Sequence, residues 1–445
     1  MDLEKLKMLL EQKDYVKLVK ELKDMQEADV AEFLDELDHK TALLVFRLLP
    51  KDMAADIFVY LSPQRQTDIS MLVDEKELSS IVDALYFDDK IDFIEEMPAY
   101  VVKKILKNST ETERKIINQF LNYPENSAGS LMTIEFVDLK KYMHVWEALE
   151  KIRKTAQDKE TIYTCYVIDA QRKLEGIVSL RDLVLADPEK KIEDIMETDI
   201  IYVKTSDDQE DVAEVFKKYD LLVMPVVDHE DRLVGIITID DIVDVIEQEN
   251  TEDFHRMAAM EPSDELYLDT SVFVLAKRRF VWLLVLMVSA TISGAIIRKF
   301  EYALESVVAL TVFIPMLMDT GGNAGSQSST LVIRSLALGE ISFGDTLKVL
   351  WKELRVSLLV GIPLGIINFL RIHFIEGYDM LLALTVSSTL VVTVIFAKLV
   401  GGVLPILAKK MKIDPAIMAS PLITTIVDAL SLIFYFTFAH MILGL

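Results

Sequence analysis

Pro315-Met-Leu-Met-Asp319-Thr-Gly-Gly-Asn323-Ala-Gly-Ser-Gln327 breaks a long apolar run with one carboxylate, two amides and three glycines. Asp319, Asn323 and Gln327 stand four apart, so in a helix they stack on one face. Gly321, Gly322 and Gly325 leave room for a neighbouring backbone, and Pro315 frees a carbonyl a turn below itself. Carboxylate, carbonyl and amide oxygens are hard donors that suit Mg²⁺, Ca²⁺ or Mn²⁺. The same spacing serves equally well a tight helix contact glued by Ser326, Ser328 and Ser329. A second acid, Asp428, tips the reading toward an ion. It lies near the middle of Pro415 to Leu443, a stretch without Lys or Arg. A carboxylate at bilayer depth costs on the order of 3 kcal/mol and is kept mainly where it works. Thr424 and Thr425, one turn earlier, add hydroxyls to the polar stripe. Two membrane carboxylates with no membrane cation to neutralise them describe a route for a positively charged traveller.

Working outward, five apolar segments are expected to cross a bilayer, at about 280–297, 304–325, 354–375, 380–407 and 415–443. Flanking cations set one orientation. Lys277-Arg-Arg279, then Arg334, Lys348, Lys352 and Arg355, then Lys409, Lys410 and Lys412 mark cytoplasmic loops. Arg298, Lys299 and Arg371 fall on the other side without reversing the bias. A cytoplasmic N-terminus and an extracytoplasmic C-terminus follow. The opening Met1-Asp-Leu-Glu-Lys-Leu-Lys is amphipathic with no apolar signal core, so export is not expected.

The charge is divided as sharply as the hydropathy. Lys and Arg number 47 against 72 Asp and Glu; from Ser271 onward the counts are 14 and 10, leaving 33 and 62 before it. The net is −29 in the soluble part and +4 in the apolar part. So acidic a surface repels nucleic acid and attracts multivalent cations, although solubility alone would also account for it. Six scattered histidines and the single Cys165, set in a strand-like Tyr-Thr-Cys-Tyr-Val-Ile run, argue against zinc chemistry and favour a core cysteine in a reducing compartment.

Residues 1–128 read as short helices separated by Pro50, Pro63, Pro98 and Pro124, a pattern of stacked superhelical arrays. Residues 129–249 hold a gapless internal repeat. Val167-Ile-Asp-Ala-Gln-Arg-Lys-Leu-Glu-Gly176-Ile-Val-Ser179-Leu-Arg-Asp182 matches Val226-Val-Asp-His-Glu-Asp-Arg-Leu-Val-Gly235-Ile-Ile-Thr238-Ile-Asp-Asp241. Each copy reads strand, turn, strand, helix, and the run-ins Ser130-Leu-Met132-Thr and Asp194-Ile-Met196-Glu correspond. This looks like a tandem pair of CBS domains, a regulatory α/β module. Ser179 with Asp182, and Thr238 with Asp241, occupy positions where such domains often hold a ribose, but capping of the following helix serves the same residues. Residues 250–277 form an acidic connector, lever or passive linker, carrying Glu252, Asp253, Glu261, Asp264, Glu265 and Asp269. Residues 278–445 make the membrane domain.

The Pro315–Gln327 run, Asp414-Pro415-Ala416 and Asp428 together resemble the MgtE family of Mg²⁺ channels. So does the order of parts: all-α superhelical N domain, a Tyr123-Pro-Glu-Asn-Ser-Ala-Gly129 junction, CBS pair, connecting (plug) helix and five-helix transmembrane domain. The resemblance implies a homodimer in a bacterial-type plasma membrane, with one pore between subunits and Asp428 of each facing hydrated Mg²⁺. It also implies regulatory Mg²⁺ held by Asp220, Asp241 and Asp244 of the second CBS copy facing Asp88 and Asp92. Glu249, Glu252 and Asp253 of the connecting helix, with Asp414 at its membrane end, complete the implied set. The family's nucleotide pocket places an aromatic where this chain has Leu221, so ATP is weighed on Ser179, Asp182 and Thr238 alone. Asp414-Pro415 also reads as a helix start.

Other functions fit less well. No nucleophile–base set or phosphate loop supports an enzyme. An anion carrier calls for membrane Arg or Lys, and the CorC-like arrangement places its membrane part before the CBS pair. Another divalent cation (Mn²⁺, Co²⁺) and a Mg²⁺ sensor without transport stay open. In the reading adopted, cytosolic Mg²⁺ draws the acidic parts together and shuts the path.

Overall fold

The computed structural model describes residues 3–263, 267–268, 270–418 and 420–444; Asp264, Glu265 and Asp269 of the acidic connector lie outside them. The chain falls into two compact units, 1–245 and 246–445.

The first unit opens with ten helices of eight to ten residues among the described residues, from Leu3–Glu11 to Glu111–Phe120. Their starts follow local chemistry. Asp38, Asp74 and Thr110 cap backbone N–H groups, Pro63 takes the first turn, and Pro50 and Pro98 precede two others. Helices two apart in sequence stack on one another, Glu27–Asp35 on Lys51–Val59 and Glu75–Val82 on Ala99–Asn108. Alternate stacking is the arrangement of a superhelical array. Phe33, Phe58 and Phe93 fill its core, Phe58 and Phe93 edge to face at 5.1 Å. The helix α1 (Phe87–Glu96) buries Phe87, Ile91, Phe93 and Ile94, which leaves its acids on the other face.

The repeat folds as two copies of one sheet. β1 (Val137–Leu139), β2 (Thr164–Ile168) and β3 (Leu174–Ser179) run in that order, β1 parallel and β3 antiparallel to β2. β4 (Val203–Lys204), β5 (Val223–Val227) and β6 (Leu233–Thr238) repeat the order, with the register shifting at matching positions, Val167/Ile168 and Val226/Val227. The run-ins exchange partners. Thr133 of the first bridges Ile236, and Glu197 of the second bridges Ile177. The equivalent glycines permit this. A Cβ on Gly235 would lie 2.7 Å from Met132 Sδ and 2.8 Å from the Thr133 carbonyl oxygen; one on Gly176 would meet Met196 Sδ at 2.8 Å. Cys165 is buried in the first copy, and that burial pushes its thiol up to about 12, in line with a packing role.

The second sheet is followed by α2 (Ile239–Met257), which runs unbroken beyond the repeat. The helix expected across 250–277 is therefore divided. Its first part belongs to α2, and among the described residues helix resumes at α3 (Val272–Lys299). Then follow α4 (Ala309–Ala337), α5 (Thr346–Leu370), α6 (Met380–Lys410) and α7 (Ser420–Leu443). Four described segments are long and apolar enough to cross a membrane: Val272–Lys299, Phe343–Ile375, Met380–Lys410 and Pro415–Leu443. The fifth expected span, α4, is 29 residues long but reaches well beyond the predicted end near 325, and its polar residues lower its hydropathy. Long apolar side chains of α3 and α5, such as Phe280, Leu283, Leu359 and Ile367, stay exposed, as lipid-facing residues do.

Because the Thr133 carbonyl is backbone and cannot turn aside, Gly235→Ala is expected to destabilise the CBS pair by about 1–3 kcal/mol. Gly176→Ala, opposed chiefly by a flexible Met196, should cost less. Thermal denaturation of the two variants ranks them, and equal melting temperatures would contradict the exchanged packing.

Candidate cation route and acid clusters

The polar run of α4 divides between two faces. Leu317, Gly321, Gly322, Ala324, Gly325, Ser328 and Ser329 are buried, whereas Pro315, Asp319, Asn323 and Gln327 are exposed along the opposite stripe. Small residues make the buried face possible. A Cβ on Gly321 would meet Val427 Cγ1 at 2.8 Å, one on Gly322 would meet Thr424 Cγ2 at 2.8 Å, and one on Gly325 would meet Ile423 Cγ2 at 2.6 Å. From α6, a Cβ on Gly401 would lie 2.2 Å from the Gly325 carbonyl oxygen. Glycines and serines thus make the helix contact on one face, as one of the two readings has it, while the acid and amides look outward on another.

This packing brings α7 alongside the stripe. Asp428 is partly buried, and Asp319 acts on it electrostatically. Thr424 and Thr425 both donate their hydroxyls to the Pro421 carbonyl, at 2.9 and 3.1 Å, leaving oxygen lone pairs as acceptors.

The expectation that the membrane segments hold no buried cation is corrected by Lys398. It lies inside α6, only 5% exposed, with Nζ 3.4 Å from Gln327 Oε1. Glu353 of α5, 9% exposed, accepts a hydrogen bond from Ser328 at 2.6 Å. Both were missed because an isolated charge in or beside an apolar run looks the same whether it is buried or not. Lys398 itself is buried, and its ammonium reaches the exposed Gln327 at one end of the stripe.

In the first unit, Asp88, Asp89 and Asp92 of α1 gather with Asp240 and Asp241 at the start of α2 and with Glu135 and Glu160 of the first CBS copy. Burial pushes Asp88 up to about 7, with Asp89 adding to it, and pushes Asp241 up to about 7, with Asp88 adding. Asp92 keeps exposed surface, yet crowding by the surrounding protein and then Asp241 raise it to about 8. Burial and then Asp88 raise Glu160 to about 8. Glu135 and Glu160 each bury a carboxylate oxygen without a hydrogen-bond partner. Of this group the sequence reading named Asp88, Asp92 and Asp241. It missed Asp89, Glu135 and Glu160, whose proximity depends on tertiary packing. Asp220, at a helix end with φ 51°, and Asp244 are both exposed. Among the described residues no three of these acids converge into a ready-made metal cluster.

A second acid group lies at the C-terminal part of α2. Burial, then Asp414 and Glu249, raise Asp253 to about 6. Arg256 pairs with both Glu252 and Asp414. Asp414 also accepts the Ala416 N–H at 2.7 Å, as the helix-start reading of Asp414-Pro415 requires. In the CBS copies, Ser179 accepts the Asp182 N–H at 3.1 Å and donates to its carboxylate at 2.5 Å, and Thr238 donates to Asp241 at 2.8 Å. Ser179 thus caps its helix.

Family models match along most of the chain: the MgtE intracellular N domain over 25–126, CBS domains over 128–189 and 192–248, and the MgtE divalent cation transporter over 314–438. The magnesium transporter MgtE of Thermus thermophilus is 38% identical over 428 residues, 95% of this chain and 94% of the relative. That of Bacillus subtilis is 34% identical over 431 residues, 94% and 95% of the two chains. The chain belongs to the MgtE family of magnesium transporters. A crystal structure of the cytosolic domain of the Mg²⁺ channel MgtE in complex with ATP matches 54% of this chain and 98% of its own, with TM-score 0.52 and 37% identity. The multidomain architecture and a non-enzymatic transport function therefore stand on similarity as well as on the fold. Within this MgtE chain, the transporter match spans Asp319, Asn323, Gln327, Lys398, Asp414 and Asp428. The N-domain match spans Asp88, Asp89 and Asp92.

Carboxylates whose folded-state pKa values are raised bind more protons folded than unfolded. The stability they contribute is complete below about pH 4 and is lost as pH rises through about 6–8. Without divalent cations, the N-domain and CBS part of MgtE is expected to become easier to digest between pH 6 and pH 8, and millimolar Mg²⁺ should flatten that dependence. Limited proteolysis across this range checks it; resistance that increases with pH would contradict the acid cluster.

Proposed function

We propose that this chain conducts Mg²⁺ across the plasma membrane as a homodimer and is closed by Mg²⁺ on its cytosolic side. One observation carries the reading. In an otherwise apolar membrane unit, α4 turns Asp319, Asn323 and Gln327 to an exposed face while Asp428 stands beside Asp319. An acid stripe facing hydrocarbon is untenable, so a second subunit presenting the same stripe is the fitting cover. Between two such faces, hydrated Mg²⁺ meets Asp428, Asp319, Asn323 and Gln327, with Thr424 and Thr425 as added oxygens. Mg²⁺ surrenders water reluctantly, so carboxylates placed for the hydrated ion suit it better than Ca²⁺. An anion carrier is disfavoured because Lys398 is buried while the acids Asp319 and Asp428 keep exposed surface. The cation bias of the loops supports a cytoplasmic N-terminus and an extracytoplasmic C-terminus.

Regulation is proposed to rest on Asp88, Asp92 and Asp241, with Glu249, Glu252, Asp253 and Asp414 as a second group; Asp220 and Asp244 are further exposed acids of the second CBS copy. Divalent ions replace repulsion with attraction and favour the compact, closed form. Moving open to closed from 1:99 to 99:1 takes about 5.5 kcal/mol, which several weak sites supply together. ATP on the CBS pair is a subsidiary proposal. It is supported by the hydroxyl–carboxylate pairs at Ser179 and Thr238 and by the ATP complex of the related cytosolic domain.

Asp428→Asn is expected to abolish or sharply reduce Mg²⁺ uptake into proteoliposomes while the protein stays folded and monodisperse. Wild-type uptake would remove Asp428 from the path. Asp92→Asn with Asp241→Asn should make inhibition by cytosolic Mg²⁺ shallower, seen in patch currents as a lower Hill slope. An unchanged slope would move the sensor elsewhere.

A further inference from the structure

Lys398 is an expensive residue that the proposed route does not use. Its side chain is 5% exposed in a helix long and apolar enough to span a bilayer, and its partner is the neutral Gln327 amide rather than a carboxylate. An ammonium buried on a neutral partner is retained only where something offsets its desolvation. The surroundings are built for it. Gly401 lets α6 press against the Gly325 carbonyl, and one turn beyond Lys398 a Cβ on Gly402 would lie 3.1 Å from Glu353 Cγ. Glu353 is tied to Ser328, the residue after Gln327. Lys398 of α6 and Glu353 of α5, the latter packed one turn along at Gly402, are thus fastened to adjacent residues of α4, Gln327 and Ser328.

We propose that Lys398 is a positioning residue that sets the depth of the cation well made by Asp319 and Asp428. This rests on the transport reading above. Gln327 lies eight residues from Asp319, about 12 Å along the helix. A fixed positive charge at that distance acts twice as strongly on a divalent ion as on a monovalent one. Paired carboxylates alone hold a divalent cation too firmly, and conduction requires a site weak enough to leave. Lys398 makes the well shallower from the Gln327 end of the stripe, and its bond to Gln327 fixes where that positive charge sits.

The test separates charge from hydrogen bonding. In proteoliposomes of the full-length protein, Lys398→Gln keeps an amide donor near Gln327 and removes the charge, whereas Lys398→Arg keeps the charge. With the charge removed, the Mg²⁺ concentration for half-maximal uptake should fall roughly three- to tenfold and the maximal rate should fall with it, because release becomes limiting. Lys398→Arg should follow wild type in both quantities. Lys398→Met carries the same expectation as Lys398→Gln and serves if the latter does not assemble. A Lys398→Gln uptake curve superimposed on wild type, or a lower maximal rate with unchanged half-saturation, overturns the proposal. Asp428→Asn run alongside keeps the two ideas apart. If it transports normally the route is wrong, whereas if it is inactive while Lys398→Gln is unaltered only the role of Lys398 falls.

Discussion

The approach of α4 to α6 and α7 is the constraint from which the membrane chemistry follows. Helices in lipid gain little from the hydrophobic effect when they associate, so close van der Waals packing and polar contacts must hold them. Gly321, Gly322, Gly325 and Gly401 allow the backbones to approach until a single added methyl would overlap a neighbour. Because one face of α4 is used for this contact, its opposite stripe is directed outward with no further instruction. The glycines therefore do two jobs through one geometry: they bind α4 to the bundle, and they set the rotation that presents Asp319 beside Asp428.

In both units the fold crowds carboxylates against their mutual repulsion, but the relief differs. The acids of α1 and the start of α2 hold protons near neutral pH because burial and like charges raise them to about 7 or 8. A divalent ion must then displace protons, so its grip is expected to tighten as pH rises. Glu135 and Glu160, each with an unpartnered buried oxygen, widen the acidic ring beyond the residues on the two helices.

The parts legible in the sequence are those set by local periodicity or by repetition. The gapless repeat carried the strand, turn, strand, helix order and the glycine positions; the matching register shift, which was not legible, follows because equivalent residues meet equivalent environments. The exchange of run-ins between copies was not legible, since Met132 and Met196 look identical whether they pack on their own sheet or the other. Apolarity alone misplaced the end of α4, for a helix with one polar face loses hydropathy without losing helicity. It also concealed Lys398, whose burial is set by tertiary packing. The family resemblance implied one connecting helix over 250–277, whereas composition left lever and passive linker open; the structure ends the helix at Met257. Asp319, Asn323 and Gln327 were found because a spacing of four survives from sequence to structure.

Charge compensation ranks the acids by how strongly a divalent ion should be drawn to them. Glu252 and Asp414 already share Arg256, and Asp414 has spent its other oxygen on the Ala416 N–H. A metal ion arriving there must first dislodge a guanidinium, which makes Asp253, pushed up to about 6 by burial and its acidic neighbours, the more available ligand of that group. The acids of the first unit hold protons near neutral pH, which a divalent ion displaces more readily than a guanidinium shared by two carboxylates. At Asp319 and Asp428 the nearest buried cation, Lys398, is turned to an amide on the flank rather than to either carboxylate. On the proposed route, the positive charge that satisfies them is the permeant cation itself.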